Sequence, residues 1–207
     1  MFKKVIDSEN VLTDFMGTPS EVASKKVIYH LDVHCRDFIS KSPFLVISTS
    51  DKNGFCDVSP RGDQPGFPFI LNDHCLVLPE RPGNKRVDTL RNILHNPHVG
   101  LLFLIPGMDE TLRVNGKATI IQDEDILEKM AVKGKNPLVG IAVEIEECFL
   151  QCAKALKRSD LWNPESWFDK KELPSGAKIL SDHVKIPGLD EKAMKERLEE
   201  GWKNRMY

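Results

Sequence analysis

Apolar and polar positions along this chain change their period as the chain proceeds. Over residues 1–42 the spacing is helical. Thr18-Pro19-Ser20-Glu21 reads as a capping box with proline at the first helical position. The helical spacing continues to about Ile39, with room for a break, and Ser42-Pro43 ends it. From Phe44 to about Cys152 the period is two or the run is wholly apolar, as in strands. FLVISTS (44–50) leads through the hairpin turn Asp51-Lys52-Asn53-Gly54 to FCDVSP (55–60). A loop with Gly62 and Gly66 precedes FPFIL (67–71), and Asn72-Asp73 turns into CLVLP (75–79). HVGLLFLIP (98–106) is nearly all apolar, as expected of a strand buried on both faces. TLRVNGKATII (111–121) alternates, and its Gly116 marks a bulge or bend. A short helix is expected over 124–131, and VGIAVEIEECFL (139–150) is the last long strand. About six or seven strands with short turns and one interposed helix predict a closed antiparallel barrel. From about Leu156 the pattern loosens, until a charged helical segment at 190–203.

One stretch between strands carries unusual charge. ERPGNKRVDTLRNILHNP (80–97) reads as a turn followed by a helix from near Asn84, with Val87, Leu90, Ile93 and Leu94 on one face. That start places Lys85 and Arg86 in the first turn, where each cation costs roughly 0.3–1 kcal/mol against the macrodipole. One reading is a solvated face in which Arg81, Lys85, Arg86 and Arg91 pair with Glu80 and Asp88. The other is an anion site, because helix N-terminal amides and cations together attract a phosphate monoester. Neither GxxxxGK[ST] nor GxGxxG occurs, so this is not a Walker or Rossmann site.

Three other stretches qualify. In VSPRGDQPGF (58–67), Arg61 sits where a strand gives way to a glycine-containing loop; it either pairs with Asp63 or adds a cation to the same ligand. In ETLRVNG (110–116), Thr111 and Arg113 share a strand face opposite Leu112 and Val114, lining a cleft or simply exposed. In QCAKALKRSDLWNP (151–164), Lys154, Arg158 and Trp162 recur at four-residue spacing. They form either a solvated helix end with a packed indole or a lid over an aromatic anion. His30 and His34 lack HExxH or a third ligand, so no metal site is expected.

Composition narrows the class. The 207 residues suit one domain with an appendage, and 41% hydrophobic content supports a real core. A net charge of −2 gives no basic field for nucleic acid. The first residues lack an apolar signal region, and no run approaches the roughly 20 residues of a membrane span. Five cysteines without a CxxC pair suit free thiols in a reducing cytoplasm.

The blocks SPRGD, RPGNKR, NPHVGLLFLIPG, ETLRVNG and RSDLW, taken together over roughly 42–164, resemble the pyridoxamine 5′-phosphate oxidase-like flavoproteins, in an uncharacterised branch. The resemblance implies a mainly β, α+β fold: an FMN-binding split β-barrel of antiparallel Greek-key type. It implies a helical segment at 1–42, the barrel at 43–155 and an extension at 156–207 that packs on the barrel or on a partner. It further implies a homodimer with flavin in two clefts at the subunit interface. Carried over by position, the family's phosphate-binding pair falls on Lys85 and Arg86, and the residues beside the flavin ring on Leu78, Pro79 and Glu80. The polar contact before the Asn-Gly bend falls on Thr111, the earlier basic contact on Arg61, and the partner-subunit contacts on Arg158 and Trp162. Arg81, Asn84, Arg113 and Lys154 join this set from the patterns above. The oxidase's C-terminal substrate motif has no counterpart in DEKAMKERLEEGWKNRMY, so pyridoxamine phosphate is not assigned as substrate. The function implied is FMN-dependent oxidation or reduction of a small molecule, with no assigned catalytic side chain. The alternatives are a flavin carrier or stress protein without robust turnover, or a split barrel holding deazaflavin or haem.

Overall fold

The first hairpin forms because Asp51 can satisfy its own turn. In the computed structural model, which describes residues 2–207, Asp51 Oδ1 accepts from the Asn53 and Phe55 amides at 2.8 and 3.0 Å, and Gly54 takes φ 83°. Strand β1 (Phe44–Ser50) thereby returns as β2 (Cys56–Gly62), with Phe44 opposite Gly62. Five further strands follow: β3 (Phe69–Asn72), β4 (Cys75–Pro79), β5 (His98–Leu104), β6 (Thr111–Ile121) and β7 (Gly140–Gln151). All pair antiparallel in one seven-stranded sheet of order β2-β1-β5-β6-β7-β4-β3. The non-sequential neighbours β1–β5 and β4–β7 give it a Greek-key path.

The barrel is split, not closed. β2 and β3 are edges, each hydrogen-bonded to one strand. The chemistry of the edges accounts for this: Pro60 in β2 has no N–H for another neighbour, and β3 is only four residues long. Leu45, Ile47, Leu76, Leu78, Leu101, Phe103, Val114, Ile141 and Val143 are almost wholly buried inside. At Asn115/Gly116 the β6–β7 register shifts, as the glycine suggested. A Cβ at Gly116 would lie 1.9 Å from the Glu144 carbonyl oxygen, so only glycine permits this approach.

The N-terminal region is three helices: α1 (Glu9–Met16), α2 (Glu21–Lys25) and α3 (Val33–Lys41). The capping residue is Ser20, whose side chain accepts from the Ala23 amide, so Thr18 and Pro19 lie before the helix. The break falls after α2, where Ile28 bridges to Cys148 of β7. Only α3 reaches the core, through Cys35, Phe38 and Ile39; α1 and α2 bury no residue.

Helix α4 runs Asp88–His95, not from Asn84. Asn84 Oδ1 accepts from the Arg86 amide at 3.0 Å, and Lys85 and Val87 adopt left-handed φ of 62° and 53°. A side chain of the N-cap type has made a turn instead of a cap. Lys85 and Arg86 therefore precede the helix and do not oppose its dipole from within. Its buried face is Thr89 and Ile93 with Leu90 half-buried, while Val87 and Leu94 are exposed.

Helix α5 covers Glu124–Glu128, shorter than the 124–131 expected. Helix α6 (Lys154–Ser159) stops at Asp160, which takes φ 51°, so Trp162 is not on the helical face of Lys154 and Arg158. Beyond it, α7 (Gly176–Val184), unforeseen in the loosened pattern, packs against α8 (Glu191–Asn204). Among the described residues no helix is long and apolar enough to cross a membrane.

Candidate functional site

Strand β2 inverts the usual alternation. Its half-buried positions are Asp57, Ser59 and Arg61, while Val58 is 64% exposed. These polar side chains face the split, where the segment following β4 and the start of α4 approach. The result is a cleft of about 580 Å³. Arg61, Pro79, Glu80, Arg81, Asn84 and Arg86, all anticipated, line it together with Asp57, Ser59 and Thr89, which were not.

Two ion pairs hold the walls. Arg61 Nη2 meets Glu80 Oε2 at 3.1 Å, with side chains 18% and 23% exposed. Arg81 Nε meets Asp63 Oδ2 at 2.8 Å, with Asp63 only 2% exposed. The simple Arg61–Asp63 pair open from sequence is thus replaced by a crossed arrangement that ties the end of β2 to the segment after β4. Tyr207 Oη donates to Asp63 Oδ1 at 2.9 Å, and Lys133 Nζ lies 5.0 Å from the Tyr207 ring centroid. Burial pushes the Glu80 carboxyl up, against the pull of the Arg61 guanidinium. The hydrogen bond to Asp63 raises the Tyr207 phenol.

The cleft also holds unspent polar capacity. Thr89 Oγ1 donates to Ser59 Oγ at 3.3 Å, and Ser59 Oγ donates to Asp57 Oδ1 at 3.1 Å. Asp57 Oδ2 is buried without a partner, and so is Arg61 Nε. Leaving either group dry costs about 1–3 kcal/mol or more. One buried donor and one buried acceptor, both on residues lining the same cleft, match a ligand that carries acceptors and donors once their side chains turn toward it. Arg86 Nε bonds Asp88 Oδ2 at 2.8 Å, but this pair is largely exposed and can exchange partners cheaply.

The other anticipated residues lie elsewhere in the structure. Leu78 is fully buried in the core. Lys85 lines a separate groove between the 82–85 segment and α8. Thr111 is buried beside Gln151, to whose Oε1 it donates at 3.2 Å, and Arg113 sits over the Phe149 ring at 5.4 Å. Lys154 and Arg158 are exposed, and Trp162 donates its indole N–H to the Met108 carbonyl at 2.8 Å. None of these seven lines the Arg61 cleft. Among the described residues no group of three or more potential ligands gathers as a metal site.

The inverted alternation of DVSPR was the legible signal for Asp57 and Ser59. Thr89 had none, because its place on the buried face follows from the later helix start.

Among solved structures, the chain is similar to a point variant of HupZ from Group A Streptococcus, at 17% identity and TM-score 0.48, covering 58% of this chain and 99% of that one. It is similar to a putative pyridoxamine 5′-phosphate oxidase from Lactobacillus delbrueckii, at 22% identity and TM-score 0.46, covering 59% and 95%. It is also similar to HutZ, the heme storage protein of Vibrio cholerae, at 15% identity and TM-score 0.42, covering 58% and 94%. No curated protein matches. The family model for pyridoxamine 5′-phosphate oxidase matches residues 31–152, which span β1 to β7 and every residue lining the cleft. The chain belongs to the pyridoxamine 5′-phosphate oxidase family.

Proposed function

We propose that the Arg61 cleft binds FMN without a covalent link and that the protein is an FMN-dependent oxidoreductase acting on a small molecule. The observation that carries this reading is the pair of buried, unpartnered atoms, Arg61 Nε and Asp57 Oδ2, on two residues that line one cleft. A flavin nucleotide offers acceptors for the first and ribityl hydroxyls for the second. Arg61, Arg81 and Arg86 supply positive charge around the cleft, and the α4 amides at Asp88 and Thr89 border it. Lys85, exposed two residues before the helix cap, would have to swing out of its separate groove to meet the same phosphate. Isoalloxazine supplies hydride and electron transfer, and the protein's task is to bind, orient and shield it. Glu80, held by Arg61 and raised by burial, provides a carboxyl that can carry a proton at the cleft wall. The described residues lining the cleft include no His, Cys, Met or Tyr, the usual axial ligands of haem iron, which favours flavin over haem here.

The same reading includes a homodimer. The protomer exposes 14879 Å², against about 9,700 Å² for a compact monomer of 23.4 kDa. Obligate homodimer interfaces cover roughly 2,000–5,000 Å² in total. In a two-fold pair, the face carrying Thr111, Arg113, Lys154, Arg158 and Trp162 would complete the partner's Arg61 cleft.

The test is a titration of ligand-free protein with FMN and with riboflavin. The wild type should prefer FMN, and Lys85→Ala/Arg86→Ala should lose FMN far more than riboflavin. Equal loss of both would show that these cations do not hold the phosphate, and no binding of either would overturn the flavin reading. If FMN binds but no panel of reductants and acceptors supports steady turnover, the protein is a flavin carrier.

A further inference from the structure

Cys35 and Cys148, 113 residues apart in sequence, meet in the core with their Sγ atoms 3.3 Å apart. Cys35 is 7% exposed and Cys148 fully buried. The other three cysteines are not like this. Cys56 and Cys152 are exposed and Cys75 is half-buried, and no hydrogen bond joins any two of them among the described residues.

The elements fix the pair. Cys35 is the third residue of α3, its amide donating to the Asp32 Oδ1 cap at 2.8 Å. Cys148 lies on β7 opposite Val114 of β6. Its backbone exchanges two hydrogen bonds with Ile28, at 3.0 and 2.7 Å. The thiols therefore sit where the N-terminal segment is stitched to the barrel. Closing 3.3 Å to a disulfide bond length of about 2.05 Å needs a shift of only about 1.3 Å.

The two sulfurs are unequal. The hydrogen bond from Cys148 lowers the Cys35 thiol, against burial and the neighbouring Asp32 carboxylate, which raise it. Cys148 is pushed up by its hydrogen bond to Cys35 and by burial. Cys35 retains some exposure while Cys148 has none, so Cys35 is the thiol that a reagent from solvent meets first.

We propose that Cys35 and Cys148 form a redox-active dithiol that a hydroperoxide oxidises to an intramolecular disulfide. The Cys35 thiolate attacks one peroxide oxygen and the O–O bond breaks. Cys35 becomes a sulfenic acid, and the departing oxygen takes a proton to leave as water or an alcohol. The Cys148 sulfur then attacks the Cys35 sulfur, the S–O bond breaks, and hydroxide leaves with the Cys148 proton as water. Two thiols lose two electrons and two protons, and one peroxide gains them. The bond fastens α3 to β7 and makes the anchorage of the N-terminal segment covalent. Neither cysteine lines the Arg61 cleft, so the device is independent of what that cleft binds.

The full-length protein, reduced and freed of reductant, is treated with hydrogen peroxide, alkylated and digested without reduction. Mass spectrometry should find the Cys35 and Cys148 peptides joined, lighter by two hydrogens than the separate thiol peptides, and separated by dithiothreitol. The proposal is overturned if both remain alkylated thiols at peroxide levels that fully oxidise Cys56 and Cys152. It is equally overturned if either is oxidised without joining the other, or joins a different cysteine. In Cys148→Ser, Cys35 should accumulate as sulfenic and then sulfinic acid. Should that variant not fold, the wild-type peptide map decides alone.

Discussion

Arg61 bonds Glu80 through one nitrogen and keeps Nε buried without a partner, so its replacement acts on two quantities at once. Arg61→Gln should weaken FMN by roughly 10- to 100-fold, the equivalent of one charge-assisted hydrogen bond at about 1.5–3 kcal/mol. It should also destabilise the ligand-free protein, because Glu80 is left partly buried and unpaired. Adding Glu80→Gln should recover thermal stability but not FMN affinity; recovery of both would mean that Arg61 acts only through Glu80. Asp32 offers a pH test. The Cys35 amide donates to it and holds its carboxyl below the usual range. Its capping contribution is therefore complete above about pH 3.9 and is lost as pH falls through the lower folded-state value. Asp32→Ala should cost about 0.5–2 kcal/mol at neutral pH. Melting curves should show that cost shrinking in strong acid, and a constant cost would contradict the assignment. Sequence alone supplied the cations around this cleft but not their pairing. Arg61 meets Glu80 and Arg81 meets Asp63 because the split brings β2 beside the segment after β4. No local spacing encodes that crossing.

At the scale of elements, the 80–87 segment shows where pattern reading failed and why. Asn84 is a good cap type, yet it spends its side chain on the Arg86 amide, and the helix begins only at Asp88. Lys85 then stands at φ 62°, a conformation that costs a non-glycine residue about 1–2 kcal/mol. Lys85→Gly should therefore leave the ligand-free fold as stable or slightly more so, the relief partly offset by glycine's roughly 0.5–1 kcal/mol of chain entropy. FMN affinity should fall in the same variant. A drop in both would place Lys85 in the fold and not at the ligand. Gly116 signals a bulge or bend because a glycine inside an alternating strand has few other uses, and the register shifts there. Gly116→Ala drives a methyl into the Glu144 carbonyl and should cost more than about 2 kcal/mol in denaturant unfolding. The strands were legible from period two, whereas α7 was not, since most of its apolar residues remain exposed.

For the whole molecule, six of the thirteen anticipated residues line the Arg61 cleft and seven, Lys85 among them, lie away from it. Sedimentation should give a dimer. Subunit exchange between Lys85→Ala/Arg86→Ala and Arg158→Ala/Trp162→Ala proteins should restore up to one good flavin site per heterodimer. No restoration after proven exchange would mean that the two groups do not meet across an interface. That the barrel would be split was legible only through the family resemblance. Strand count and alternation alone favoured closure, and the edge signals, Pro60 in β2 and the short β3, do not by themselves say where a barrel opens. The central claim is that this barrel holds FMN in the Arg61 cleft. The most direct measurement is the absorption spectrum of ligand-free protein mixed with FMN and desalted, before and after denaturation. The account predicts a flavin spectrum that stays with the folded wild type, is lost from Arg61→Gln, and appears as free FMN once the chain unfolds. A wild-type protein that passes through desalting colourless, or an Arg61→Gln variant that keeps flavin as tightly, would contradict it.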